Sequence, residues 1–91
     1  MARLRHTIHH MNHLTPELLA QVVRAELDAT GLTEREIQRR TGISRDTLNR
    51  RIAAGDLRSR DLLRIAGVLD IPLSVLVARA EKRHAAARAA E

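Results

Sequence analysis

Apolar residues recur at helical spacing in five segments of this chain, and no segment shows the two-residue alternation of a strand. In the first, Leu19, Val22, Val23 and Leu27 form one stripe of a helix predicted from Pro16 to Thr30. Thr15 offers an N-cap hydroxyl, Pro16 stands where its missing N–H does no harm, Glu17 faces the positive helix end and Gly31 supplies a left-handed stop. Thr33 and Glu36 make a Thr-x-x-Glu capping box for a second helix that ends near Thr41. Gly42 is then the turn, because a side chain would be strained there if φ is positive; Ile43 points back to the core and Ser44 caps the next helix. That third helix, about Arg45 to Ala53, keeps Leu48 and Ile52 on one side, collects Arg45, Asp46, Asn49 and Arg50 on the other, and sets Arg51 toward the flank.

Gly55 closes the third helix, and Ser59 with Asp61 opens a fourth that packs through Leu62, Leu63, Ile65, Ala66 and Leu69. Gly67 inside it costs about 1 kcal/mol relative to alanine, which predicts a close helix contact at that point. A fifth helix begins after Asp70-Ile71-Pro72, carries Leu73, Leu76, Val77 and Ala80, and can continue into the alanine- and arginine-rich end. The expected organisation is a flexible, basic, histidine-rich arm over residues 1–14, an all-α five-helix domain over 15–80, and a helical extension or tail over 81–91.

Composition narrows the function. Ninety-one residues suit one small domain. The complete lack of Phe, Tyr and Trp leaves Leu, Ile, Val, Ala and Met to build the core, and removes the stacking platforms on which RNA-recognition and single-strand-binding modules rely. The absence of cysteine removes disulfides, thiolate metal sites and thiol nucleophiles together. No apolar run approaches the roughly 20 residues of a membrane span and the basic N-terminus lacks a signal-peptide core, so a cytoplasmic protein is expected. Residues 39 to 60 hold seven arginines (Arg39, Arg40, Arg45, Arg50, Arg51, Arg58, Arg60) against Asp46 and Asp56, so this stretch alone accounts for the net charge of +5. Such concentration reads as a footprint for a polyanion rather than as a solubility device.

The stretch TEREIQRRTGISRDTLNRRI, Thr33 to Ile52, followed by a loop and two packing helices through Leu-Asp-Ile-Pro-Leu, resembles the lambda-repressor/Cro (XRE-like) helix-turn-helix family. The likeness runs from about Leu18 to Val77, and Asn49 to Gly55 looks most like regulators of actinobacteria and their phages. The resemblance implies a regulator that binds double-stranded DNA, as a phage repressor or Cro-type protein. A host regulator, or an antitoxin that also grips a protein partner through its last helix, would share the motif. Three positions depart from the family's habit. Gln38 replaces the alanine common where the second and third helices touch, so the crossing is wider or its amide is paired. Glu34 stands where a glutamine commonly meets phosphate. Arg51 takes the late apolar place of the third helix, with the anchor one residue on at Ile52.

In this reading the third helix enters the major groove. Arg45, Asn49 and Arg50 are expected to bond base edges, Arg on guanine and Asn on adenine, while Asp46 either accepts from cytosine or holds Arg50 four residues on. Thr33, Arg39, Arg40, Ser44, Thr47, Arg51, Arg58, Ser59 and Arg60 are expected at the sugar–phosphate backbone. A homodimer on operator half-sites is expected, and Leu73, Leu76, Val77 and Ala80 either form its seam or close the monomer core. His6, His9, His10 and His13 have i, i+4 spacing, but a structural zinc site needs four ligands in a closed shell, so no metal is assigned; the arm can instead reach DNA through Arg3 and Arg5. No nucleophile–base pair, phosphate-cradling loop or acid pair marks an enzyme, and neither cofactor nor small-molecule substrate is implied.

Overall fold

The computed structural model describes residues 14–89. It has five helices: α1 Pro16–Ala29, α2 Glu34–Thr41, α3 Arg45–Ala54, α4 Ser59–Leu69 and α5 Leu73–Ala89. There is no strand among the described residues. His6, His9, His10 and His13, weighed as metal ligands but not assigned one, and Arg3 and Arg5, expected to reach DNA, lie outside the described residues.

The first four helices begin where the sequence supplies a side-chain acceptor for backbone N–H groups. Thr15, Thr33 and Ser44 hydroxyls accept from the N–H groups of Leu18 (3.1 Å), Glu36 (3.1 Å) and Thr47 (3.2 Å). The box at α2 is only half formed, because the Glu36 carboxylate turns away from the Thr33 N–H to meet Arg39 and Arg40. At α4 the cap is Arg58 rather than Ser59: the Arg58 side chain cannot accept, and its own backbone N–H donates instead to the Asp61 carboxylate at 2.9 Å.

Two glycines end helices in the left-handed region beside the site, Gly42 at φ 74° and Gly55 at φ 67°. Asp70 does the same for α4 at φ 57°, with the Ile71 N–H donating to the Ala66 carbonyl at 3.1 Å. The core gathers Val23, Leu27, Ile37, Ile43, Leu48, Ile65 and Leu76, drawn from all five helices and the turn. α1 lies against α3 and α5, while α2 lies against α3 and α4, so α3 is supported from two sides. The short side chains allow this, since no ring has to be housed between the axes.

Two expectations are corrected here. Leu76 and Ala80 are completely buried within the single chain, so they close its core and offer nothing to a dimer seam; only Leu73 and Val77 of that set remain partly exposed. Gly67 has no close helix contact, for a Cβ built there meets no heavy atom within 4 Å. Its cost to α4 is therefore uncompensated by packing. At Gly55, by contrast, a Cβ would stand 2.9 Å from Glu17 Cγ and 3.1 Å from its Cα.

These two glycines give opposite predictions in urea melts. Gly67→Ala is expected to raise stability by about 1 kcal/mol, whereas Gly55→Ala is expected to lower it by about 2 kcal/mol through left-handed strain and collision with α1.

Candidate DNA-binding surface

The turn between α2 and α3 is stitched by a threonine that the sequence does not single out. Thr41 is buried; its hydroxyl donates to the Ile37 carbonyl (2.7 Å) and accepts from the Ile43 N–H (3.1 Å), while the Gly42 N–H reaches the Gln38 carbonyl at 2.9 Å. The Thr41 hydroxyl and the Gly42 and Ile43 N–H groups thus all have partners, and Ile43 is buried in the core as its spacing suggests. The Gln38 amide answers one departure from the family habit. Its Oε1 accepts from the Arg45 backbone N–H at 3.0 Å, so the side chain serves as a second cap for α3.

Along α3 the four candidate base readers separate into two kinds. Asp46 and Arg50 are exposed and lie opposite the Leu48 and Ile52 side that packs inward. They form no ion pair with one another, so the expected Asp46–Arg50 clasp is not made. Arg45 and Asn49 occupy one flank, each held from another helix. Arg45 Nε meets Glu34 at 2.6 Å, which turns the second departure from a repulsive charge into a tether for an arginine. Asn49 is half-buried, and its Oδ1 accepts from the guanidinium of Arg24 on α1.

The opposite flank of α3 is an open groove of about 510 Å³ between the turn and the start of α4. Ser44, Thr47, Arg58, Ser59, Arg60 and Arg64 line it. Beneath them lies Asp61, only 2% exposed. Its carboxylate takes Arg51 Nη1 at 2.9 and 3.1 Å and the Arg58 N–H. Arg51 therefore lines the groove with its charge already matched, and the third departure has a physical reason: where an apolar anchor would sit, a guanidinium bridges α3 to α4.

The remaining backbone candidates lie on α2. Thr33 is used as a cap, and Arg39 and Arg40 are exposed but share Glu36, with Arg40 at 3.4 Å. The hydrogen bond from Arg39, helped by the nearby charge of Arg40, holds the Glu36 carboxyl below its usual value of 4.5. Arg50, Arg58, Arg60 and Arg64 enter no ion pair among the described residues. Their charges are left for an external anion. Arg64 and Arg24 are the members of this surface that sequence reasoning missed. Arg64 carried a faint signal, one turn beyond Arg60 near the start of α4. Arg24 carried none, being 25 residues from its partner.

A recognition helix braced on two sides, with unmatched guanidinium groups beside its outward face, defines a helix-turn-helix DNA-binding domain. A family model described as helix-turn-helix matches residues 23–76, more than half of the chain, and the chain belongs to that family, of the lambda-repressor/Cro (XRE) type. It is accordingly a regulator of transcription that binds double-stranded DNA. Neither a curated protein nor a solved structure gives a significant match. Among the described residues no helix is long and apolar enough to cross a membrane, and no three metal-binding side chains come together.

Removing the buried carboxylate tests how α3 is held. Asp61→Ala is expected to lower unfolding free energy by roughly 2–4 kcal/mol, since it strips partners from both a guanidinium and a helix-capping N–H. A loss below about 0.5 kcal/mol in urea denaturation would show that the pair is dispensable.

Proposed function

We propose that the chain is a sequence-specific repressor or Cro-type regulator, of phage or prophage character, that reads the major groove with α3 and binds paired half-sites as a homodimer. The observation that carries this reading is the contrast on α3: Arg50 and Asp46 are exposed with no side-chain partner among the described residues, while Arg45, Asn49 and Arg51 are each anchored to another helix. An arginine held at such a position bonds O6 and N7 of guanine, and an aspartate beside it accepts from a cytosine amino group. Arg45 and Asn49 follow the groove on one flank. Ser44, Thr47, Arg58, Ser59 and Arg60 meet phosphates on the other, joined by Arg64, and Arg39, Arg40 and Thr33 border them from α2. Arg51 contributes through its position in the groove wall, with its charge shared with Asp61. Dimerisation draws on the partly exposed Leu73 and Val77 and on Val75, 36% exposed.

The competing reading is an antitoxin whose tail wraps a partner protein. Glu26 on α1 holds Arg79 at 2.8 Å and Arg83 at 3.8 Å, which fixes the middle of α5 along α1, while the helix beyond Arg83 stays largely exposed. Copurification of the full chain with a partner protein would favour the antitoxin.

Selection of binding sites from random duplexes tests the proposal. An inverted repeat with half-site centres about 10–10.5 base pairs apart, or a multiple of that, is expected. Arg50→Ala should then cost roughly 1–3 kcal/mol at one base pair, whereas Arg58→Ala should weaken all duplexes alike and reduce the salt slope by about 1. No enriched sequence would overturn sequence-specific reading. A monomer on one asymmetric site would overturn the dimer, and equal losses on selected and random DNA for Arg50→Ala would overturn its base contact.

A further inference from the structure

Asn49 is a candidate base reader whose amide orientation is fixed from outside α3. Its partner, Arg24 Nη2, can only donate, so the amide must present Oδ1 to α1 and leave Nδ2 as its uncommitted group. Arg24 is itself steadied by Asp28, 3.9 Å away one turn along α1. Glu34, Gln38 and Arg45 lie on this flank beside the pair, together with the apolar Ile37, Ile43 and Leu48.

An asparagine that pairs with adenine must offer both ends of its amide, Oδ1 to N6–H2 and Nδ2 to N7. Here one lone pair of Oδ1 is already taken by a cation, and the positive charge beside it repels the adenine amino group. The same charge attracts the major-groove edge of guanine, whose O6 and N7 are both acceptors that Nδ2 can serve. We infer that Arg24, on the first helix, is a positioning residue for base reading: it locks Asn49 as a hydrogen-bond donor and so sets guanine, not adenine, as the base that Asn49 prefers. This rests on α3 reading the major groove, and it reverses the adenine preference that an unbraced asparagine would have.

The experiment is a set of operator duplexes, taken from the selected site, that carry each of the four base pairs at every position, bound to the full chain and to three variants. Asn49→Ala identifies the base pair concerned as the one whose preference it flattens. At that pair the wild-type chain should favour guanine over adenine by roughly tenfold. Arg24→Met keeps the aliphatic stem but frees Oδ1, and should shift the preference toward adenine by a similar factor. Arg24→Gln, whose neutral amide can still donate to Oδ1 but brings no charge, should keep guanine by a smaller factor.

Adenine preferred by the wild-type chain, or an Asn49→Ala profile flat at no position, overturns the inference without need of the Arg24 variants. An Arg24→Met chain that melts as a folded protein yet keeps the wild-type profile overturns it too. Should Arg24→Met fail to fold, the wild-type and Arg24→Gln profiles decide the matter alone. If the wild-type chain selects no site at all, it is the reading of α3 that fails, an outcome distinct from selection with an unaltered base profile.

Discussion

The buried carboxylate of Asp61 is the group on which the geometry of this domain turns. A charge with 2% exposure is costly unless it is matched, and here one guanidinium and one backbone N–H match it. Because the guanidinium belongs to α3 and the N–H to the loop before α4, satisfying one carboxylate fixes the distance between the recognition helix and the loop. The floor of the groove is thereby neutral, and its rim of Arg58, Arg60 and Arg64 stays cationic. An apolar residue at position 61 would leave the Arg58 N–H without this acceptor and Arg51 free to compete with these three.

The charge of the chain is partitioned by the same logic. Arg24, Arg39, Arg40, Arg45 and Arg51 each have an acidic partner within the domain, and all of these border α3 or α2. Their work is to hold helices and neighbouring side chains in register, at little cost in solvation because most remain partly exposed. Arg50 and the three groove arginines have no such partner among the described residues, which concentrates attraction for a polyanion on one face. Net charge alone would have suggested a diffuse patch. Pairing leaves four unmatched arginines gathered along the outward side of α3 and the start of α4.

Much of this was legible in the sequence because it is local. Hydroxyl caps at Thr15, Thr33 and Ser44, the positive φ of Gly42 and the spacing of Leu48 and Ile52 each depend on neighbours within four residues, so five helices emerge and the ends of the first three are correct to about a residue. What stayed hidden is non-local or competitive. Glu36 had two offers, the Thr33 N–H and the arginines one turn on, and the charged partners won. Leu76 and Ala80 were suited equally to a seam and to a core, and only the path of α1 decides between them. Gly67 invited a packing explanation that its open surroundings do not bear out. Arg24 meets Asn49 across 25 residues and Arg51 meets Asp61 across 10, so no short window of sequence pairs them, and Arg64 is marked only by its place one turn beyond Arg60.

The central claim is that one face, made by the turn, α3 and the start of α4, meets DNA while α5 stands behind it. Amide chemical shifts recorded as the full chain is titrated with its selected duplex test this residue by residue. The account predicts that the largest changes fall within residues 42–50 and 58–64, with α5 beyond Ala80 nearly silent. Changes centred on α5 and the outer side of α1, with α3 unmoved, would contradict it.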